Sequence, residues 1–176
     1  MKAKIAVIYK STYGHTRKYA AWISEALGAD LFKKAAADSE MLKQYDIIIY
    51  GGSLYASKIN GIEFVAKNQS KCLVVFTVGL TDPQTTDFAD IMTNSFSDPN
   101  IQPDKVFHFR GGLQSDKLGF IHRNLLKLLR VAVAKKPDSE LSEIEKIIKH
   151  VSGKNVDYTD KETIQPLINY VKEELA

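Results

Sequence analysis

The sequence predicts an α/β domain built on a parallel sheet with helices on both faces. Four apolar runs, KIAVIY, YDIIIYGG, KCLVVFTVG and KVFHFRGG, are continuous rather than alternating, as strands covered on both sides must be. Segments of helical periodicity separate and follow them, and strands alternating with helices read as crossover units. A third observation bears on function. Three strand ends run into polar or glycine-rich loops, 10–16, 51–60 and 79–87, which such a topology gathers at one edge of the sheet.

Taken in order, 4–9 is the first strand and 16–27 a helix closed by Gly28, a residue free to take the left-handed conformation that ends helices. ADLFKKA is a short, weak second strand. YDIIIYGG is the third, ended by Gly51-Gly52; KCLVVFTVG is the fourth, ended by Gly79; KVFHFRGG is the fifth, ended by Gly111-Gly112. Further helical patterns span about 61–69, 84–96, 119–134, 140–150 and 160–175, the last with Thr159 or Asp160 as N-cap. The segment 113–150 is long for a crossover and is expected to be a helical insertion within one domain, 1–176.

Composition narrows the class. With 44% hydrophobic and 26% charged residues, the 176-residue chain matches an ordinary soluble globular domain. No apolar run approaches the roughly 18–20 residues of a membrane span. The opening MKAKIAVIYK is too quickly interrupted for a signal peptide, so a cytoplasmic location is expected. Cys72, the single cysteine, excludes an internal disulfide and any CxxC pair, and its place before an apolar run suits an inert buried thiol. No His, Cys, Asp and Glu cluster has metal-ligand spacing, and no nucleophile stands in a triad setting.

The first loop carries the sharpest signal. KSTYGHT offers the hydroxyls of Ser11, Thr12 and Thr16, with Gly14 letting the backbone close around a ligand. The helix starting near His15 aims its free N–H groups and positive dipole end at the same point. An isolated hydroxyl there would be an ordinary helix cap, but three hydroxyls and a glycine favour phosphate. The Walker pattern GxxxxGK[ST] is absent, which disfavours nucleotide hydrolysis. GxGxxG and a ribose-binding acid are absent after the first strand, which disfavours a dinucleotide site. Lys10-Ser11 and Tyr50-Gly51 stand where a phospho-acceptor domain needs carboxylates.

STYGHT resembles the flavodoxin phosphate signature, [TS]-x-x-G-x-T. The resemblance implies a flavodoxin-like three-layer sandwich, five parallel strands in the order 2-1-3-4-5, and FMN as cofactor. By similarity Ser11, Thr12, Tyr13, Gly14, His15 and Thr16 wrap the terminal phosphate, Tyr13 replacing a hydroxyl common in the family. GGSLYASKING resembles the loop in which a serine precedes an aromatic that stacks on the flavin ring. It implies ring contacts from Ser53, Leu54 and Tyr55, followed by Ala56, Ser57 and Lys58 where flavodoxins often have carboxylates. TVGLTDPQTT resembles the loop that meets the pyrimidine edge, implying Thr77, Val78, Gly79, Leu80, Thr81, Asp82 and Pro83. With no aromatic between Gly79 and Asp87, one flavin face is expected to be open to a second reactant. A lysine rather than a carboxylate after Tyr55 predicts a less negative reduction potential than in acidic flavodoxins.

The runs YDIIIYGGSLYASKING, TVGLTDPQ, QPDKVFHFRGGL and KNVDYTDKETI are similar to the flavodoxin-like protoporphyrinogen dehydrogenases that pass electrons to menaquinone, which also carry an extra segment after the matching strand. That likeness implies an FMN-dependent oxidoreductase whose reactants are a porphyrinogen-like anionic molecule and a quinone. Two alternatives stay open: a noncatalytic electron-carrier flavodoxin docking on a redox partner protein, and an FMN-dependent NAD(P)H:quinone reductase.

Net charge is +3, unevenly spread. From Lys105 to Lys136 eight Lys and Arg face Asp116 alone, a net of 8 − 1 = +7, leaving 3 − 7 = −4 elsewhere. Within this segment Leu118, Ile121, Leu125, Leu128, Leu129 and Ala132 form an apolar stripe, and Arg123, Lys127 and Arg130 a basic row. Two readings are open: a helix laying its leucines on its own sheet, or one offering 118–136 to the inner face of the cell membrane or to an anionic ligand. His122, Arg123, Lys127 and Arg130 are the candidates for substrate or membrane contact. Nucleic acid is disfavoured, since aromatic and basic residues do not interleave. His108 is expected to be a satisfied core histidine, and Tyr19 and Trp22 packing residues.

Overall fold

The computed structural model describes residues 3–66, 72–151 and 153–175. In chain order the elements are β1 Ile5–Lys10, α1 His15–Leu27, β2 Asp30–Lys33, α2 Ser39–Leu42, β3 Ile47–Tyr55, β4 Lys58–Ile59, α3 Glu63–Ala66, β5 Cys72–Gly79 and α4 Ala89–Ser95. They continue with β6 Lys105–Arg110, β7 Gly112–Gln114, α5 Phe120–Ala134, α6 Glu143–Val151, β8 Asn155–Asp157 and α7 Gln165–Tyr170. Residues 67–69 of the expected helix 61–69, and Lys71 at the start of the expected fourth strand, lie outside the described residues.

Five strands pair in parallel in the order β2-β1-β3-β5-β6. Without β4, which only folds back antiparallel on β3, this is the expected order 2-1-3-4-5. Successive side chains along a strand point to opposite faces, and both faces are covered, which is why the apolar runs are unbroken. Ile5 and Val7 join a core beneath α1 and the last helical segment, with Tyr19, Ile23, Leu27, Leu167 and Ile168. Ala6 and Ile8 join the core on the other side, with Leu42, Ile59, Ile62 and Val65. Gly51 of β3 makes room for a core ring: a Cβ there would stand 2.0 Å from Phe76 Cζ.

Several elements depart from expectation for local reasons. Helix α4 starts at Ala89 rather than near 84, because Thr85 and Thr86 donate their N–H groups to the Asp82 carbonyl and close a separate turn. The last helix is composite: a 3-10 turn at Lys161–Ile164, then α7, then a π segment at Val171–Leu175. Asp160 is its cap, accepting from the Glu162 N–H at 3.0 Å. Cys72 is half-buried and packs against the first core. Tyr19 stacks on Phe109 and meets Trp22 edge-on, as packing residues.

The insertion leaves and rejoins the sheet through one antiparallel ribbon, β7 with β8, in which Gly112 pairs with Asp157 and Gln114 with Asn155. Its buried residues, Leu118, Val133, Leu141, Ile148 and Val151, belong to neither core of the sheet. Lys136 pairs with Glu145 at 2.6 Å and Lys149 with Asp138 at 2.5 Å, ion pairs internal to the insertion. The reading in which α5 lays its leucines on the sheet is corrected here. His122, Leu126 and Val133 turn inward, while Ile121, Leu125, Leu128, Leu129 and Ala132 are exposed. Only Leu118 of the predicted stripe is buried.

Candidate functional site

The carboxyl ends of β1, β3 and β5, the ribbon strand β7 and the start of α5 enclose a cavity of about 810 Å³. That is the size of a cleft built for a small organic ligand. Among the described residues no cluster of His, Cys, Asp or Glu could hold a metal ion, and no helix is long and apolar enough to cross a membrane.

From the first loop, Ser11, Thr12, Tyr13, His15 and Thr16 line this cavity. Gly14 is the N-cap of α1 with φ 97°, in the left-handed region that glycine enters without cost, and its N–H donates to Ser11 Oγ at 3.1 Å. No side chain caps α1 and no acid lies in its first turn, so its leading N–H groups have no intrahelical acceptor and no carboxylate of their own turn. Neutral donors with a positive helix end fit a phosphate, and this is the respect in which the chain's own residues fit FMN.

Behind the loop, the His15 Nε2 is buried without a hydrogen-bond partner, 3.9 Å from the Asp157 carboxylate. Burial lowers the His15 pKa; Asp157 opposes that and Lys18 adds to it. Lys18 is itself engaged by Asp157 at 3.1 Å and by Thr159 Oγ1 at 2.6 Å, so the phosphate loop carries no free lysine of α1.

Of the second loop, Ser53, Leu54 and Tyr55 reach the cavity, and the Tyr55 ring is 50% exposed. Ala56, Ser57 and Lys58 do not line it. Ala56 and Ser57, at φ 48° and 57°, form the two-residue turn between β3 and β4. Positive φ in both places suits a hairpin's twist but strains two residues that have a Cβ. Lys58 Nζ is paired with Glu63 at 2.8 Å, and that hydrogen bond holds the Glu63 carboxyl below its ordinary pKa. The charge expected to act on the flavin is therefore largely compensated by its neighbour.

Of the third loop, Val78, Gly79 and Leu80 line the cavity. Thr77, Thr81, Asp82 and Pro83 do not. Thr77 is wholly buried, with its hydroxyl bonded to His108 Nδ1 at 2.7 Å; His108 also stacks on Phe88, which makes it the satisfied histidine expected. Asp82 organises its own turn, accepting from the Gln84 N–H at 3.0 Å.

The insertion completes the wall. Gly119, Phe120, Ile121 and His122 line the cavity, and His122 Nδ1 lies 2.5 Å from the Tyr13 hydroxyl. The His122 ring is also 5.5 Å from that of Tyr55. One side chain of α5 thus meets both the first loop and the second. Arg123, Lys127 and Arg130 do not line the cavity; they are exposed along α5, and Arg123 donates to the Leu118 carbonyl at 2.9 Å.

Asn60, Gly111, Gly112, Leu113 and Gly119–Ile121 were not foreseen as wall residues. Gly111-Gly112 showed the same strand-end glycine signal as the other loops. The rest reach the cavity only because β4 folds back on β3 and the ribbon turns the insertion over the edge of the sheet.

The family model for a flavodoxin domain matches residues 6–140. No curated protein matches the chain. Among solved structures, a flavodoxin from the domain Archaea is similar at 18% identity and TM-score 0.46, covering 61% of this chain and 85% of that one. A flavoprotein in complex with FMN from Lactobacillus acidophilus is similar at 13% identity and TM-score 0.46, covering 61% and 93%. The Trp repressor binding protein of Bacillus subtilis is similar at 19% identity and TM-score 0.46, covering 61% and 85%.

Proposed function

The chain belongs to the flavodoxin family, and from that premise we propose that it is an FMN-dependent oxidoreductase that oxidises a porphyrinogen-like anionic substrate and passes the electrons to a quinone. The observation that supports an enzyme over a bare carrier is the roof that the insertion puts on the cavity, with His122 reaching Tyr13 and Tyr55. A carrier needs only an exposed flavin edge for its partner protein. Here the wall extends past both flavin loops to Leu113, Phe120 and Ile121, which gives a flat apolar molecule somewhere to lie.

Bound FMN supplies the redox chemistry, and the protein supplies binding, orientation and electrostatics. In this reading Ser11, Thr12 and Thr16 hydroxyls and the N–H groups opening α1 hold the phosphate. Tyr55 offers its face to the ring, and the backbone of Val78–Leu80 borders the ring's polar edge. The Tyr13 hydroxyl and His122 Nδ1 are hydrogen-bonded to each other at the cavity wall, where a reactant would meet them. Phe120 and Ile121 form an apolar rim that limits water at the mouth.

The test is an anaerobic assay of the FMN-loaded protein with protoporphyrinogen and a menaquinone analogue, following porphyrin fluorescence. A rise that requires protein, FMN and quinone together is the expected outcome. With flavin binding established by fluorescence quenching, no rise above the quinone-only control would leave the electron carrier as the better reading. Turnover of NAD(P)H with quinone in its place would make the chain a quinone reductase.

A further inference from the structure

The segment with most of the molecule's excess positive charge also has its most exposed apolar side chains. On α5, Phe120 is 80% exposed, Ile121 75%, Leu128 70% and Val131 58%, with Leu125 and Leu129 also open to solvent. Ile121, Leu125, Leu128 and Ala132 follow one another at i, i+4, i+7 and i+11, so they form one continuous row. Arg123, Lys127 and Arg130 form a second row, separated from the first by the exposed ridge of Phe120 and Val131. Among the described residues no acid pairs with any of these three cations. An open apolar patch of this extent marks a place of contact.

We propose that the outward side of α5 docks on an anionic lipid bilayer, with the mouth of the cavity turned toward the lipid. The apolar row and ridge enter the boundary between headgroups and acyl chains, while Arg123, Lys127 and Arg130 reach lipid phosphates beside it with their stems along the apolar surface. Charge selects the occupant. A second copy meeting α5 against α5 would bring two strongly basic segments together, whereas an anionic surface complements them. Phe120 and Ile121 belong both to the exposed face and to the cavity wall, so the docking face and the cavity mouth are continuous. A lipid-dissolved reactant then reaches the cavity without crossing water.

The test is co-sedimentation of the full chain, with and without FMN, on vesicles of phosphatidylcholine alone and of phosphatidylcholine mixed with phosphatidylglycerol. Binding to the mixed vesicles, weakened by salt, is expected. Lys127→Ala with Arg130→Ala should weaken it about thirty-fold, at about 1 kcal/mol for each basic residue near an anionic surface. Leu128→Gln with Val131→Gln should weaken it by roughly tenfold or more, with the melting temperature unchanged because both side chains are exposed. Absence of binding at low salt, or binding that the apolar pair leaves intact, overturns the proposal. So does a homodimer that Leu128→Gln with Val131→Gln dissolves, since a second copy would then be the occupant. Because the vesicle assay needs no flavin, its failure leaves the redox reading untouched.

Discussion

His108 is a residue whose protonation the fold alters within the range that pH titration of stability can reach. Burial beside Phe88 and Thr77 lowers its pKa from 6.5 to about 4. In the folded chain the ring therefore stays neutral where the unfolded chain would protonate it. Between pH 6.5 and about 4 the unfolded state binds more protons, so stability present above 6.5 is lost as pH falls through that window. The share due to this ring is about 2–3 kcal/mol, read as the difference between denaturant titrations of the wild type and His108→Gln at pH 7 and pH 4.5. His15, whose pKa burial also lowers, acts in the same direction and stays in both proteins. The sequence placed His108 in a strand flanked by phenylalanines, which was enough to foresee a satisfied core histidine. Tyr13 shows the opposite case. It looked like a missing hydroxyl contact, and its partner His122 is 109 positions away, a pairing that no local pattern encodes.

At the scale of elements, strands were legible and faces were not. Continuous apolar runs identify β1, β3 and β5 because both sides of each are covered, and glycine marks where they stop. Gly51 shows how tightly this holds. Gly51→Ala would drive a methyl into the Phe76 ring from within β3, where a shift must be shared with β1 and β5. A loss of about 3 kcal/mol is expected, measured as a lower denaturant midpoint with FMN absent. Helix α5 was foreseen to within a residue, yet its rotation was not. An amphipathic pattern says that a helix has an apolar side; what meets that side depends on where its ends are tied. Here the ribbon and the Tyr13–His122 contact fix the start of the helix, α6 packs along it, and the leucine row is left outside. The short pairings β4, β7 and β8 were missed because two or three residues make no period that a sequence can display.

For the whole molecule, the sheet and the insertion have separate buried cores. The sheet's two cores share no buried residue with the insertion, and the insertion's main ion pairs are its own. Hydrogen exchange should therefore show amides of α5 and α6 opening at lower free energy than those of β1, β3 and β5, without opening of the sheet. Exchange of both sets through a single global event would show that the two are one unit. The topology of the sheet was readable because each strand and crossover declared itself in turn. The cavity was readable at the first loop, whose hydroxyls and glycine stand together in the chain, and unreadable at its roof, which only the three-dimensional path of the insertion creates.

The β7–β8 ribbon has a consequence for how such a chain can vary. Because Gly112 and Asp157 face each other across it, the sheet feels only a hairpin, whatever lies beyond Gln114 and Asn155. Everything from Ser115 to Lys154 can lengthen, shrink or be exchanged for a tight turn without moving a strand by one register. The roof of the cavity is thus an appendix to the architecture, open to replacement while the loops that follow β1, β3 and β5 stay as they are.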